Sequence, residues 1–196
     1  MKKKTWKSLI ICLAVLLVGA GGVIGALLLR DNATSKQYDV VSGEMTVEDA
    51  EDLRAVLLAN GECTITLAED IVVTEELLVN GTKTLAGNKS IIMDTSNIGT
   101  TTSVCAVNDD ATLILDGATL DGNGVVNGIS VKVGGTLTCL SGNVVYGYPY
   151  GMTIAGTADI KNVKIDNAMH TGIYVEFGGK ATMTGRTIQN NLYGIA

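Results

Sequence analysis

A glycine that recurs at nearly constant spacing is the feature that most constrains how this chain can fold. Gly128, Gly151, Gly172 and Gly194 follow one another at intervals of 23, 21 and 22 residues. Each begins a short segment in which hydrophobic residues alternate with small or polar ones, as in Gly-Ile-Ser-Val. A repeat of this length with this alternation is typical of a solenoid, in which each repeat packs only on its neighbours.

Two further strand-like segments fall at fixed positions within each repeat. The first comprises residues 136–139, 157–160 and 180–183, and the second is marked by Val144, Ile165 and Ile188. An earlier repeat fits the same frame through Cys105, Val107, Leu113, Leu115 and Leu120. Three short strands per repeat, joined by turns, must each pair with the equivalent strand one coil later. The sequence therefore predicts an all-β fold, a parallel β-helix with about 22 residues per coil.

The strand starts and the turn residues together carry a resemblance to a known family. They are the Gly-Ile-x-Val segments, the turn asparagines Asn167, Asn190 and Asn191, and the segments 65–73, 81–85 and 120–124. In these features residues 63–196 resemble the right-handed parallel β-helix superfamily, which includes pectate lyases, polygalacturonases and many bacterial surface proteins. The resemblance implies a right-handed coil and suggests an adhesin-like surface protein. It implies no particular activity, because enzymes and non-enzymes share the same coil packing.

The first thirty residues predict a membrane anchor. Residues 8–29 are uncharged and mostly apolar, and four lysines precede them. At about 1.5 Å per residue, a helix of this length spans a hydrocarbon core of about 30 Å. The lysines before the run predict a cytoplasmic N-terminus, with the remainder of the chain outside. The alternative is a signal peptide cleaved before Gly21, which would release the protein.

The rest of the chain divides into three predicted segments. Residues 31–45 are polar and predict a linker. Residues 46–61 predict a helix with Thr46 as its N-cap, and this helix would cover the open end of the first coil. Residues 62–196 predict the β-helix. Because the chain stops just after a new coil begins, we expect it to be the first part of a longer protein.

The excess of acidic residues limits the kinds of molecule that this part of the chain can bind. All 20 acidic residues lie at or after Asp31, against 9 basic residues there, so the net charge of this part is −11. This composition disfavours nucleic acid, which needs a basic surface. It would also repel an acidic polysaccharide unless a divalent cation lay between the two.

The cysteines predict neither a metal site nor a disulfide framework. Cys63, Cys105 and Cys139 follow the apolar run, and their spacing is not that of metal ligands. Cys105 and Cys139 fall on inward positions of the repeat, where cysteine acts as a small apolar residue. We therefore predict buried free thiols, no metal and no cofactor.

A pair of carboxylates is the feature that an enzymatic interpretation would use. The repeat places Asp121, Val145, Asp166 and Gln189 at equivalent outward positions. Asp121 and Asp166 are then two coils, about 9.6 Å, apart, just beyond the range of an inverting carboxylate pair, about 6.5 to 9.5 Å. No basic or histidine motif of the pectin-degrading enzymes accompanies them, so we predict no catalytic residue in this segment.

A cluster of tyrosines predicts the candidate binding site. Tyr146, Tyr148 and Tyr150 fall within five residues, and Tyr174 and Tyr193 follow on the next coils. Exposed aromatic rings on a solenoid suit stacking on sugar faces. The alternative is that these rings pack over the turn and shield the edge of the sheet.

These features together predict a membrane-anchored, extracytoplasmic scaffold for display or binding, with polysaccharide as the favoured ligand class. The alternative is the N-terminal part of a polysaccharide lyase or glycoside hydrolase whose catalytic coils lie beyond residue 196.

Overall fold

A computed structural model describes residues 37–94, 96, 101–185 and 187–196. The predicted anchor at residues 8–29 lies outside these ranges and stays a prediction. Within the part of the chain that the structure describes, no helix has the length and apolar character needed to cross a membrane.

The described residues form many short strands and one helix. In chain order the elements are β1 (Val40–Val47), α1 (Ala50–Leu58), β2 (Asn60–Leu67), β3 (Ile71–Val73), β4 (Leu77–Val79), β5 (Thr82–Ala86), β6 (Ser90–Met93), β7 (Ser103–Val107), β8 (Thr112–Asp121), β9 (Asn127–Val131), β10 (Thr136–Val145), β11 (Tyr150–Ile154), β12 (Thr157–Lys161), β13 (Val163–Asp166), β14 (Thr171–Val175), β15 (Lys180–Thr184), β16 (Thr187–Gln189) and β17 (Tyr193–Ile195). Every pairing among these strands is parallel.

The strands stack into three walls of a parallel β-solenoid, which confirms the predicted fold class. The first wall contains β1, β2, β5, β8, β10, β12 and β15, and the third contains β4, β7, β9, β11, β14 and β17. The second wall contains β3, β6, β13, β16 and the later halves of β8 and β10, which bend from one wall into the next. The predicted equivalences hold, because Val144 pairs with Ile165 and Ile165 with Ile188.

The corner between the first and second walls depends on left-handed backbone conformations. One residue per coil has a positive φ there in five successive coils: Gly87 (95°), Gly117 (105°), Gly142 (123°), Asn162 (47°) and Gly185 (59°). Glycine and asparagine adopt this conformation at little cost, whereas other residues are strained in it. The corner glycines therefore serve a different purpose from the glycines that begin the strands of the third wall.

Three of the glycines at the start of these strands, Gly128, Gly151 and Gly172, leave no room for a side chain. A Cβ atom at Gly151 would lie 2.6 Å from the carbonyl oxygen of Gly172 and 2.7 Å from Cγ2 of Ile165. At Gly172 a Cβ atom would meet Ile188 and Gly194 at 2.6 and 2.8 Å. The strand that begins with glycine thus lies close both to the next coil and to the second wall, which explains the spacing seen in the sequence.

The interior is a single apolar stack made of the inward residues of all three walls. Its members include Ile65, Leu85, Leu115, Cys139 and Ile160, each with almost no exposed surface. Cys63, Cys105 and Cys139 are buried and free, as predicted. Burial raises the pKa of the Cys105 and Cys139 thiols to about 12, so both are neutral and unreactive at physiological pH.

Helix α1 covers the N-terminal end of this stack. Leu53, Val56 and Leu57 point into the core and are fully buried. The helix is shorter than the predicted range 46–61, and its N-cap is Asp49 rather than Thr46. Asp49 Oδ1 accepts a hydrogen bond of 2.8 Å from the backbone N–H of Asp52, whereas Thr46 lies in β1 and pairs with Thr66.

The solenoid begins earlier than the sequence indicates. Residues 40–45 were expected to belong to a linker, but they form most of β1, which pairs with β2 over its whole length. Only Val41 and Val47 of β1 are buried, so the strand has little of the apolar alternation that marks the others. Its conformation follows from hydrogen bonding to β2, a long-range cause that the local pattern does not contain.

Candidate functional site

The five predicted tyrosines lie on one side of the solenoid, on neighbouring coils. Tyr146 and Tyr148 belong to the corner between the second and third walls, which we call the second corner (residues 122–126, 146–149, 167–170 and 190–192). Tyr150, Tyr174 and Tyr193 belong to β11, β14 and β17 of the third wall. Tyr146, Tyr148 and Tyr193 expose 51%, 45% and 53% of their surface.

Three of the tyrosines and one histidine form a continuous series of ring contacts, which we call the aromatic row (Tyr174, Tyr150, His170 and Tyr193). The rings of Tyr150 and Tyr174 are stacked, with centroids 4.9 Å apart and planes inclined by 12°. Tyr150 meets His170 edge to face at 6.1 Å, and His170 meets Tyr193 at 5.1 Å with a 56° tilt. The row thus crosses three successive coils.

His170 was not among the predicted site residues, and the structure adds it. The histidine joins the row because it lies in the turn just before β14, between the coils of Tyr150 and Tyr193. Its Nδ1 lies 2.9 Å from Oγ1 of the buried Thr171, a contact that fixes the ring orientation. The signal in the sequence was its position immediately before the Thr-Gly pair that begins β14.

Tyr150 and Tyr193 share one register position through an intermediate residue. Tyr150 pairs with Thr171, and Thr171 pairs with Tyr193, so the two tyrosines occupy the same register position two coils apart. One face of Tyr150 is covered by the ring of Tyr174. The other members that the sequence proposed, Tyr146 and Tyr148, take no part in these ring contacts.

Tyr146 has an unusual backbone conformation. Its φ is +50°, and the residues that follow the same register position in the next two coils are Asn167 and Asn190, with φ of +57° and +55°. Asparagine is the usual choice for this conformation, and tyrosine is not. Hydrogen bonds hold the turn, because Tyr146 N–H donates to the Asp166 carbonyl at 3.0 Å and its own carbonyl accepts from Gly124 N–H at 2.7 Å.

The carboxylate pair lies where the repeat predicts, but both oxygens of Asp166 are occupied. Val145 pairs with Asp121 on one side and with Asp166 on the other. Asp166 is buried and accepts hydrogen bonds from Lys164 Nζ at 2.6 Å, Asn190 Nδ2 at 2.7 Å and Gln189 Nε2 at 3.0 Å. The hydrogen bond from Lys164, followed by that from Asn190, holds the pKa of the Asp166 carboxyl below its ordinary value.

Asp121 has a local structural role of its own. Its Oδ1 accepts a 2.7 Å hydrogen bond from the backbone N–H of Asn123, which closes the turn. Partial burial raises the pKa of Asp121 above its ordinary value. A general base must be free to accept a proton from water, and both oxygens of Asp166 are already engaged. The geometry of this pair therefore does not favour hydrolysis.

A buried lysine near the N-terminal end escaped the sequence analysis. Lys83 has no exposed surface, and its ammonium donates to the carbonyls of Gly61 at 2.8 Å and Asn80 at 2.7 Å. It pairs in register with Cys63, on a row of inward positions that is otherwise apolar. Burial lowers the pKa of Lys83 below its ordinary value. Its flanking residues in Thr-Lys-Thr-Leu are those of an ordinary strand, so the sequence offered no local signal.

Two cavities among the described residues are lined by none of the five tyrosines of the candidate site. One of about 330 Å³ lies between α1 and residues 37–39, and another of about 390 Å³ is lined by polar residues such as Asn143 and Lys164. No cluster of histidine, cysteine or carboxylate side chains that could hold a metal ion is found in the ranges that the structure describes.

Comparison with known proteins assigns this chain to no family. No family model, no curated protein and no solved structure matches the chain. The aromatic row with the adjoining Tyr146 and Tyr148 is the most distinctive exposed arrangement among the described residues.

Proposed function

We propose that this chain is a membrane-anchored, extracytoplasmic β-solenoid that binds an uncharged polysaccharide through the aromatic row and the adjoining Tyr146 and Tyr148. The observation that carries the proposal is the row itself, four rings in contact across three coils. Sugar rings present apolar C–H faces that stack on exposed aromatic rings, and a rigid row loses little conformational entropy on binding.

The charge of the chain supports an uncharged ligand. Acidic residues outnumber basic ones by 20 to 9 from residue 31 onward. Of the lysines near the site, Lys164 is already paired with Asp166. A polymer of uronic acids would meet net repulsion without a compensating cation, whereas a neutral glycan would not.

The conformation of Tyr146 supports a role for its ring. A left-handed tyrosine costs roughly 1–2 kcal/mol relative to the ordinary conformations of an L-residue. The equivalent turns achieve the same geometry with asparagine at no such cost. Tyr146 is half exposed, so core packing does not explain its presence, and ligand contact does.

The location rests on the sequence alone. The apolar run 8–29 behind four lysines is the basis for a single-pass anchor with the solenoid outside, on an adhesin-like surface protein. Protease added to intact cells should remove the solenoid and leave the first thirty residues in the membrane. A mature N-terminus at Gly21 would instead establish a cleaved signal and a secreted protein.

Binding is tested with the full chain on a panel of neutral and acidic polysaccharides. Tyr193→Ala removes an exposed ring from the end of the row, and we expect at least a tenfold loss of affinity, which corresponds to about 1.4 kcal/mol. Phe177→Ala is the matched control, because Phe177 is an exposed aromatic residue on a different corner. Equal effects of the two changes, or no binding by the unmodified chain, would contradict the proposal.

Tyr146→Asn provides a second, independent readout. Asparagine relieves the left-handed strain, so we expect thermal stability to rise while affinity for the glycan falls. A change that raised stability and left binding intact would remove Tyr146 from the site.

A further inference from the structure

The second corner exposes a line of large apolar side chains that the aromatic row does not include. Tyr146, Asn167 and Asn190 are the left-handed residues that begin the turn in three successive coils. Two residues after each of them come Tyr148, Met169 and Leu192, which are 45%, 65% and 67% exposed. These three residues, which we call the corner ridge, occupy the same turn position on adjacent coils and span about 9.6 Å at a strand spacing of about 4.8 Å.

The turns of the second corner carry no charged side chain of their own, and the adjoining Asp166 is buried and paired with Lys164. The four turns of the second corner contain no aspartate, glutamate, lysine or arginine, although 17% of the chain is charged. His170 is their one titratable side chain outside the tyrosines, and it is engaged with Thr171 and the rings of the row. Exposed apolar residues scattered singly need no explanation, but a contiguous line of them beside an aromatic row marks a contact surface.

The shape of this surface restricts what it can contact. The corner ridge stands on the outside of a bend between two walls, and none of its residues lines the cavities of about 330 and 390 Å³. A dissolved sugar chain is usually held in a concave site that surrounds it and supplies hydrogen bonds to its hydroxyl groups. Methionine and leucine supply no such hydrogen bonds, and a convex line of side chains cannot surround a single dissolved chain.

We propose that the glycan recognised here is a packed, insoluble array of neutral chains that presents a flat apolar face, rather than a dissolved chain. This inference rests on the proposed function and adds the physical state of the ligand. The corner ridge and the exposed ring of Tyr193 together contact the C–H face of several neighbouring chains at once. Each contact is weak, and the rigid spacing of the coils lets the contacts act together.

The test compares the full chain on insoluble and dissolved forms of the same sugars. Depletion isotherms on microcrystalline cellulose and on chitin are measured beside titrations with soluble cello- and chito-oligosaccharides, with a pelleting control that lacks polymer. The double variant Met169→Asn, Leu192→Asn should lower partition onto the insoluble polymer at least tenfold. Val133→Asn, at an exposed apolar residue on another corner, should leave the partition unchanged, and melting curves of all variants should coincide.

The outcomes separate this inference from the function on which it rests. Binding of dissolved oligosaccharides with equal or greater affinity, unaffected by the double variant, would overturn the inference and leave polysaccharide binding in place. Binding to neither form would overturn both. Concentration-dependent self-association in sedimentation that the double variant abolishes, without glycan binding, would show that a second copy of the chain covers the corner ridge, and would also overturn the inference.

Discussion

At Gly151 a side chain of even one carbon would have to displace the neighbouring coil. The atoms in its way are the Gly172 carbonyl oxygen and Ile165 Cγ2, at 2.6 and 2.7 Å from the Cβ position. We expect Gly151→Ala to destabilise the fold by about 1–3 kcal/mol through overpacking. At Gly194 the nearest atom would lie at 3.9 Å, so Gly194→Ala should change stability by no more than about 0.5 kcal/mol. Denaturant midpoints compare the two, and similar losses would refute the close-approach explanation.

Lys83 makes the stability of the solenoid depend on pH in the alkaline range. Because burial lowers its pKa in the folded state, the unfolded chain binds more protons between that lowered pKa and the ordinary value of about 10.4. Stability therefore rises with pH across this window, and below it the lysine contributes no pH dependence. Lys83→Met should remove this part of the rise in melting temperature measured from pH 7 to 10. An unchanged pH profile in the variant would mean that water reaches the ammonium group.

At the scale of an element, α1 begins later in the structure than the sequence predicts. Asp49 caps the helix through Asp52 N–H, and Thr46, the predicted cap, is exposed in β1. Asp49→Ala should cost about 1 kcal/mol, the usual value of an N-cap, and Thr46→Ala should cost less than about 0.5 kcal/mol. Free energies of unfolding from urea titrations of the two variants show which residue caps the helix. A larger loss at Thr46 would restore the predicted boundary.

The strands that could be predicted from the sequence are those whose own residues alternate between apolar and polar. Inward alternation identified the strands that contain Leu113, Leu137, Ile160 and Met183, because each repeats the same pattern on the same side. β1 could not be found, because it is held by its pairing with β2 rather than by its own pattern. The sequence likewise predicted one group of five tyrosines. It could not distinguish the stacked pair, Tyr150 and Tyr174, from the exposed Tyr146, Tyr148 and Tyr193. Ring contacts depend on rotamers and on the turn residues between coils, which a repeat alignment does not contain.

At the scale of the whole molecule, each coil is stabilised mainly by the coil on either side of it. The residues of β8 and β10 that face the core are completely buried, whereas β17 exposes all three of its residues. Stability in such a fold is approximately a sum of coil and interface terms. Hydrogen exchange should therefore be slowest in β8 and β10 and fastest in β17, with intermediate protection in β14. Uniform protection across these strands, followed by mass spectrometry, would show instead that all coils open as one cooperative unit.

The parallel pairing of successive coils also has a mechanical consequence. Within each wall, the backbone hydrogen bonds join equivalent strands of neighbouring coils and run along the solenoid axis. Tension applied between residues 40 and 196 therefore loads the outermost coils of this segment before the inner ones. Each coil that peels away releases about 22 residues, which extend to roughly 70–80 Å. A solenoid of this kind would lengthen in steps under load and dissipate it one coil at a time, and the coils that carry Leu192 and Tyr193 would be among the first to open.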